Sequence, residues 1–317
     1  MYHEPMLDAV TIGSALVDIF VSSSDFELQK TDTGVFLCQS YGAKIEVDDF
    51  QLHTGGGAGN VAVGFARAGL STATIAELGK DFWAFVVAQD LEKNHVSADL
   101  LIKEKREKTG GSVILVGGDG GRTIMVHRGA SSLLDPQDIP ERVFERTSIV
   151  HLSSVAGRVP TLRHIFNLTQ KHQVMLSWNP GNAEMSLLAS GEIEASDIPA
   201  QIFFCNKEEW SQVREVSDKL RAHIPEIIIT DGKHGLTLLV QGEEKQFAGG
   251  PVTEVVDETG AGDGFAAGYV SARFYKKSPE EAVAWGMANA RSVIEHMGAK
   301  DGLLEYSHLA ELVTNPA

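Results

Sequence analysis

Hydrophobic and polar positions follow two different patterns along this chain of 317 residues. From about residue 148 onward, short apolar runs such as 148–154, 174–181 and 201–206 predict buried strands. Between them lie segments such as 161–172, whose apolar residues recur every three or four positions and predict amphipathic helices. This alternation of strands and helices is typical of an α/β protein with a mostly parallel, doubly wound sheet.

The same pattern continues to the end of the chain. Two strands at 226–232 and 235–240 flank a tight turn, and long helices are predicted at 264–275 and 279–296. The sequence contains no internal repeat, linker or low-complexity tract. We therefore expect a single domain over residues 1–317.

Two β-rich stretches, at about 14–54 and 109–129, interrupt the alternation. Both consist of short apolar pieces with polar breaks, and the GGDGG segment at 117–121 predicts a hairpin loop in the second stretch. Neither stretch has strands long enough to bury a core by itself. We therefore expect the two stretches to pair into one small sheet outside the main core.

Composition narrows the class of protein. The formal net charge is −16 with no basic stripe, which argues against nucleic acid as a partner. There are two cysteines, Cys38 and Cys205, and no apolar stretch approaches the ~20 residues that span a bilayer. The first residues lack the pattern of a signal peptide, and the histidines lack the spacing of a metal site. We expect a cytoplasmic protein with no membrane contact.

The segment DETGAGDGFAAG, residues 257–268, combines a glycine loop, a carboxylate and the start of a predicted helix. Gly260 and Gly262 let the backbone turn tightly, and the helix predicted from Gly264 adds its unsatisfied N–H groups. These groups form a site for an anion, and the same field should keep Asp263 ionised. A carboxylate beside a phosphate site can take a proton from an attacking hydroxyl, which indicates phosphoryl transfer to an alcohol. In the alternative interpretation, Asp263 only caps the helix.

Three motifs occur along the chain in a recognisable order: GSALVDIF at 13–20, GGGAGNVAVGFARAG at 55–69 and DETGAGDGFAAG at 257–268. In order and spacing they resemble motifs of the ribokinase/PfkB family of carbohydrate kinases, the last of the form D-T-x-G-A-G-D-x-F. The resemblance covers nearly the whole chain. It implies a Rossmann-like, three-layer α/β/α fold with a mostly parallel central sheet and a small β-sheet lid. The two β-rich stretches would form that lid.

The resemblance also implies roles for individual residues. Asp263 would be the catalytic general base, and the backbone N–H groups of the anion hole would belong to Gly260, Ala261, Gly262 and Asp263. The acceptor-binding residues would be Asp18, Gly56, Gly57 and Asn60. Asp and Asn suit this role because between them they accept and donate hydrogen bonds to vicinal hydroxyl groups. The alternatives are a turn residue for Asp18 and a helix N-terminus for Asn60.

On the nucleotide side, the resemblance implies contacts from Asn206, Thr230, Gly232, Gly235 and Asn289. Asn206 begins an N-x-x-E motif whose Glu209 would organise Mg²⁺ through water, although this pair also has the pattern of a capping box. The TDGKHG segment at 230–235 is also compatible with a plain turn between strands. The implied cofactors are ATP and Mg²⁺, and Asp257 matches a loop that holds K⁺ in some members of the family.

Two departures from the family's pattern concern the acceptor. Gly57 stands where ribokinases have Lys, and Leu16 stands where they have Asn. Both departures disfavour ribose and favour a hexose or a nucleoside, so that a sugar kinase and a nucleoside kinase remain open. A flat lid sheet with an exposed edge also favours a homodimer formed through the lid.

Two other classes of protein fit parts of the sequence. Gly57, Gly59 and Ala62 match the G-x-G-x-x-A pattern of a dinucleotide-binding oxidoreductase, and Glu77 follows about 20 residues later. That pattern requires a buried strand directly before the first glycine, whereas the preceding VDDFQLHT segment is polar. A non-catalytic sugar or nucleotide sensor would keep the fold, but the intact GAGD segment argues against it.

Overall fold

The structure is a computed structural model, and it describes residues 6–104, 106–117, 121–251 and 255–314. The N-terminal strands are β1 (Leu7–Ile12), β2 (Leu16–Ser22), β3 (Glu27–Thr31), β4 (Gly34–Cys38), β5 (Asp49–Gly55), β6 (Thr72–Ile75), β7 (Glu77–Leu78), β8 (Val96–Ser97) and β9 (Ile102–Lys103). The remaining strands are β10 (Gly111–Val116), β11 (Arg122–His127), β12 (Thr147–Leu152), β13 (Met175–Trp178), β14 (Ala200–Asn206), β15 (Glu226–Thr230), β16 (Gly235–Val240) and β17 (Glu243–Ala248).

The helices follow the same order along the chain. They are α1 (Gly57–Arg67), α2 (Phe82–Lys93), α3 (Glu141–Phe144), α4 (Val159–His172), α5 (Asn182–Ser190), α6 (Lys207–Gln212), α7 (Ser217–His223), α8 (Ala261–Phe274), α9 (Pro279–Ile294) and α10 (Tyr306–Thr314). In the part of the chain that the structure describes, no helix has the length and apolar character needed to cross a membrane.

Among the described residues, nine strands form the central sheet, in the order β17-β16-β15-β14-β13-β12-β1-β6-β8. The seven strands β8, β6, β1, β12, β13, β14 and β15 run parallel to one another. At the other edge, β16 and β17 pair antiparallel. The mostly parallel sheet that the sequence predicts is thus confirmed. All of β6 and the last four residues of β1 are buried, because helices cover both faces of the sheet.

In the described residues, helices on the two faces complete two large hydrophobic cores, and a smaller third core includes Val63 of α1 and Leu91 of α2. Leu162 of α4 and Met185 of α5 belong to one core, which also contains Val10 of β1. Phe65 of α1 and Tyr269 of α8 belong to the other core. The expected three-layer α/β/α architecture is therefore confirmed.

Four further strands form a second sheet, the small sheet, in the order β11-β10-β2-β5. Since β2 pairs with β10 in parallel, the two β-rich stretches join in one sheet as expected. Part of the first stretch does not join them, because β3 and β4 pair with each other as a separate hairpin. Residues 118–120 of the predicted hairpin loop lie outside the described residues, and the flanking strands β10 and β11 pair antiparallel.

Close contacts between helices place the first turns of α1 and α8 side by side. A side chain at Gly64 of α1 would collide with Ala267 of α8. On its other side α8 packs against α9, where a side chain at Gly268 would lie 2.6 Å from the carbonyl oxygen of Trp285. Without side chains at these two glycines, the helices approach closely enough for residues of their first turns to touch.

Candidate active site

The first turns of α1 and α8 bring together two predicted site residues that are far apart in sequence. Nδ2 of Asn60 donates a hydrogen bond to Oδ2 of Asp263 at 2.8 Å. Asn60 is 4% exposed, and among the described residues its Oδ1 has no hydrogen-bond partner. Asn60 therefore places a buried acceptor atom near Asp263.

Helix α8 begins at Ala261, earlier than the predicted start at Gly264. Its N-cap is Gly260, which has a φ of 78° in the left-handed region that favours glycine. Asp263 lies inside the first turn, and its carboxylate accepts a hydrogen bond from Asn60 on another helix. The interpretation of Asp263 as only a capping residue is therefore wrong.

The anion hole is predicted in the backbone of this turn. The first N–H groups of a helix lack acceptors within the helix, and here the N–H group of Ala261 donates to the carbonyl of Glu258 at 3.3 Å. A side chain at Gly262 would meet no atom within 4 Å, so open space lies in front of this residue. The turn combines N–H groups, the positive end of the helix dipole and room for an anion beside Asp263.

The carboxyl group of Asp263 is less acidic than the sequence analysis predicts. Burial raises its pKa, and the hydrogen bond from Asn60 opposes part of the rise. The positive end of the helix dipole favours the ionised form of Asp263. The loss of solvent around the carboxylate disfavours that form and has the larger effect. A carboxylate with a raised pKa is a stronger proton acceptor, which suits a general base.

Asp18 lies on β2 of the small sheet and is 8% exposed. Oγ of Ser112, on the neighbouring strand β10, donates a hydrogen bond to its Oδ1. Asp18 is therefore a strand residue, and its interpretation as a turn residue is wrong. Burial raises the pKa of Asp18, while the Ser112 hydrogen bond and the positive charge of Lys300 oppose the rise.

The glycines before α1 fit closely against neighbouring loops. A side chain at Gly56, whose φ is 93°, would lie 2.6 Å from the carbonyl oxygen of Ser14. A side chain at Gly57 would lie 2.9 Å from Oγ of Ser153 and 3.5 Å from Oδ1 of Asp263. Gly57 and Asp263 therefore border the same space, and a larger residue at position 57 would fill part of it.

Ser153 is a candidate site residue that the sequence analysis missed. It directly follows β12 and is 5% exposed, and its Oγ has no partner within the described ranges. Ligands of doubly wound folds bind outside the carboxyl ends of the strands, so a residue that directly follows a strand is a candidate. The predicted strand extended to residue 154 and therefore placed Ser153 inside it.

Asn206 and Glu209 form a reciprocal capping box at the start of α6. The N–H group of Glu209 donates to Oδ1 of Asn206, and the N–H group of Asn206 donates to Oε2 of Glu209, both at 2.8 Å. The capping interpretation is thus confirmed, and it uses one of the two carboxylate oxygens of Glu209. Burial raises the pKa of Glu209, and the Asn206 N–H group opposes the rise.

Thr230 lies beside Asn206, since the two residues pair at the carboxyl ends of β15 and β14. Gly232 begins a short 3-10 turn, Gly232–His234, and Gly235 begins β16, which confirms the predicted turn between two strands. This turn and the capping box therefore lie at the same edge of the central sheet.

Asn289 is in the interior of the protein, 1% exposed. Its Nδ2 donates to the carbonyl of Gly264 at 2.7 Å, and its Oδ1 accepts from the N–H group of Leu304 at 2.8 Å. Both ends of the side chain therefore join α9 to neighbouring backbone. This geometry does not support the expected contact of Asn289 with adenine.

Asp257 is 3% exposed and is held by protein donors. Arg122 of β11 and Thr259 donate to its Oδ1, and the N–H group of Gly298 donates to its Oδ2 at 3.1 Å. The guanidinium group of Arg122 supplies positive charge at this carboxylate. The arrangement therefore does not fit a K⁺ ion bound to Asp257, and it ties the small sheet to the loop before α8.

Glu77, which the dinucleotide-binding interpretation assigns to a ribose, lies on β7 and is 2% exposed. Burial and the nearby carboxylates of Asp138 and Glu104 raise its pKa to about 8. A buried, protonated carboxyl group is poorly placed to accept hydrogen bonds from a ribose. In addition, the strand before Gly57 is β5 of the small sheet and does not belong to the central sheet. The dinucleotide-binding interpretation is not supported.

Known proteins resemble this chain in sequence and in fold. The model of the pfkB family of carbohydrate kinases matches residues 6–305. A ribokinase of Staphylococcus aureus (strain COL) is 27% identical over 244 residues, which cover 73% of this chain and 78% of that protein. The structure of a nucleoside kinase of Methanocaldococcus jannaschii matches with a TM-score of 0.79 at 19% identity, covering 98% of this chain and 99% of that chain. The structure of a putative ribokinase II of E. coli in complex with ATP and Mg²⁺ has a TM-score of 0.80 at 17% identity, with the same coverage.

The chain therefore belongs to the pfkB family of carbohydrate kinases. Its architecture is the ribokinase-like fold, with a large central sheet and a small additional sheet. Membership of this family of carbohydrate kinases implies phosphotransferase activity.

Proposed function

We propose that the protein transfers a phosphoryl group from ATP to a hydroxyl group of a sugar, with Asp263 as the general base. The observation that carries this proposal is the contact between Asn60 and Asp263 beside the open space at Gly262. A proton acceptor, groups that bind an alcohol and N–H groups that bind an anion lie within the first turns of two touching helices. Phosphoryl transfer depends mainly on such positioning and on electrostatic stabilisation.

The acceptor binds between Asp18, Asn60 and Ser153, with Gly56 and Gly57 leaving room for it. Oδ1 of Asn60 and Oγ of Ser153 are buried without partners in the described part of the protein, and hydroxyl groups of the acceptor satisfy them. Asp18 accepts further hydrogen bonds from the acceptor. As the bond between the acceptor oxygen and phosphorus forms, Asp263 takes the proton of that hydroxyl.

The phosphates of the donor bind at the first turn of α8. The N–H groups of Gly260, Gly262 and Asp263 face the transferred group, and that of Ala261 contributes less because the Glu258 carbonyl already accepts it. Mg²⁺, when bound, would neutralise charge on the phosphates, and Glu209 would order its water ligands through the carboxylate oxygen outside the capping box. The nucleotide lies along Asn206, Thr230, Gly232 and Gly235. The complex of the putative ribokinase II of E. coli with ATP and Mg²⁺ supports this choice of cofactors.

A nucleoside acceptor is the second candidate. The face of the small sheet that carries Asp18, called its inner face, favours a nucleoside. The inner face carries Asp18 and Ser112 in one row of paired residues and Phe20, Ile114 and Ile124 in the next row. Ile124 is 49% exposed on this face. An apolar surface beside the acceptor-binding carboxylate suits a ligand with a sugar at one end and a flat base at the other.

A panel of acceptors tests the proposal. ATP consumption is measured with Mg²⁺ and with hexoses, ribose and nucleosides as separate acceptors. We expect turnover with a hexose or a nucleoside to exceed turnover with ribose. If ribose reacts fastest, the inference from Gly57 and Leu16 is wrong. If no acceptor reacts although a sugar or ATP binds, the non-catalytic sensor is favoured over the kinase.

The small sheet is expected to act as a lid over the acceptor. Its inner face carries Asp18, and closure would exclude water that competes with the acceptor hydroxyl. Saturating acceptor should therefore slow hydrogen exchange of the amides in β10 and β11 by up to about 100-fold at a concentration of 100 Kd. ATP alone should slow it less. Equal exchange with and without a confirmed acceptor would show that the small sheet does not close over it.

The outer face of the small sheet is proposed as a homodimer interface. Leu52, Ile19, Val113 and Met125 form one apolar row across its four strands, and Leu52 and Met125 are 42% and 51% exposed. A monomer would leave this row in water. Sedimentation should therefore give a dimer for the wild type and a monomer for Leu52→Glu. A wild-type monomer at micromolar concentration would contradict the proposal.

A further inference from the structure

Lys300 is a buried cation for which the sequence analysis gave no role. It lies in the loop after α9 and is 7% exposed. Its Nζ donates hydrogen bonds to Oγ1 of Thr54 and to Oδ2 of Asp90, and Thr54 itself donates to Asp90 at 2.6 Å. Three separate elements, namely β5, α2 and the loop between α9 and α10, thus meet at one ammonium group.

The loop of Lys300 also contacts both halves of the candidate active site. The N–H group of Gly298 donates to Asp257, in the loop that precedes α8. A side chain at Gly260 would collide with Ala299, so this loop lies directly against the predicted anion hole. Lys300 follows these two residues and binds Thr54 at the end of β5, and a side chain at the next residue, Gly55, would collide with Oδ2 of Asp18.

We propose that Lys300 is a positioning residue for the acceptor, which holds the end of β5 against α2 and supplies positive charge to Asp18. This role of Lys300 depends on the proposed function in one respect, namely that Asp18 binds the acceptor. Lys300 itself touches neither substrate nor reacting atoms, and it acts through Asp18 and Thr54.

The charges around these residues agree with this role. Burial raises the pKa of Asp18, and Lys300 and His53 oppose the rise, whereas Asp257 adds to it. Burial lowers the pKa of Lys300, and Asp90, Asp18 and Asp301 oppose that change. An ionised Asp18 accepts hydrogen bonds from hydroxyl groups better than a protonated one, so a cation nearby favours acceptor binding.

The test removes the cation without leaving a buried charge unpaired. Lys300→Met alone would leave the Asp90 carboxylate without its cationic partner, which would destabilise the fold. The test variant is therefore the double substitution Lys300→Met with Asp90→Asn. We expect the acidic limb of kcat/KM for the acceptor to move up by about one pH unit, so that kcat/KM falls by about tenfold at a pH on that limb and changes little well above it. The KM for ATP and the acidic limb of kcat, which belongs to Asp263, should not move.

Two control variants separate positioning from general loss of stability. Asp90→Glu keeps both charges of the ion pair while it changes the packing of the pair, and it should leave the acidic limb of kcat/KM in place. Glu226→Gln with Arg273→Met removes another ion pair, which joins β15 to α8, and it should lower the melting temperature without moving that limb. If Lys300→Met with Asp90→Asn does not fold, the test uses Lys300→Gln with Asp90→Asn, in which two amide side chains can pair.

A readout without turnover separates this proposal from the proposed function. The carboxyl carbon of Asp18 is titrated by NMR in the free protein, and we expect its pKa to rise by about one unit in the double variant. An unchanged Asp18 titration, or equal losses in KM for acceptor and ATP, would overturn the role of Lys300. If the titration moves as expected but no acceptor is phosphorylated by the wild type, the proposed function fails and the effect of Lys300 on Asp18 stands.

Discussion

Replacing Asp263 by Asn should lower kcat on the order of 10²- to 10⁴-fold while the protein remains folded. The substitution removes the proton acceptor and keeps the shape of the side chain. The hydrogen bond from Asn60 survives, because the new amide oxygen can accept it. Steady-state kinetics with ATP and a confirmed acceptor measure the loss, and the melting temperature shows that folding is unchanged.

A matched control for this variant is Asp218→Asn, another Asp in the first turn of a helix, α7, where the side chain is exposed. It should leave kcat unchanged. The pH profile gives a second check: since burial raises the pKa of Asp263, kcat should fall as the pH drops through that raised value. The acidic limb should therefore lie above the pH at which an exposed Asp titrates, and it should be absent in Asp263→Asn. Wild-type kcat in Asp263→Asn would remove Asp263 from the mechanism.

Replacing Gly262 by Ala should lower kcat on the order of 10²-fold without weakening the fold. The added methyl group enters open space and meets no protein atom within 4 Å. We propose that the transferred phosphoryl group occupies this space, so the methyl group displaces it from the N–H groups of the turn. Because Ala favours helix more than Gly, the free energy of unfolding should stay the same or rise by up to about 1 kcal/mol.

The control for this variant lies on the same helix. A side chain at Gly268 would lie 2.6 Å from the carbonyl oxygen of Trp285, so Gly268→Ala should lower the melting temperature. Its folded fraction should keep a kcat close to that of the wild type. An active Gly262→Ala enzyme would show that the phosphoryl group lies elsewhere.

The fold could be predicted from the sequence because its signals are local. Apolar runs and helical periodicity fix the strands and helices one at a time, and their alternation implies a parallel sheet. The small sheet was also predictable, since two β-rich stretches had no other partner. The hairpin of β3 and β4 was not separated from it, because short strands carry no signal of which partner they will choose.

The candidate site was predictable only where a motif marks it. The contact between Asn60 and Asp263 joins helices that are distant in sequence, and no periodicity reports it. Lys300 was missed for the same reason, since a lone Lys acquires its role from what the fold places around it, whereas Ser153 was missed because the predicted strand extended past it. The raised pKa of Asp263 and the buried side chain of Asn289 depend on solvent exclusion, which a motif does not describe.

The pairing of β2 with β10 has a consequence for how the chain folds. Asp18 and Ser112, which meet across these strands, are 94 positions apart in sequence. Loop closure over such a distance has an entropic cost, so this pairing should form after the more local pairings that it joins, namely β2 with β5 and β10 with β11. Elements that assemble late have few interactions formed in the folding transition state, and changes in them mainly alter unfolding rates. Within the part of the molecule that is proposed to open and close, the pairing of β2 with β10 would then form late in folding and separate early in unfolding.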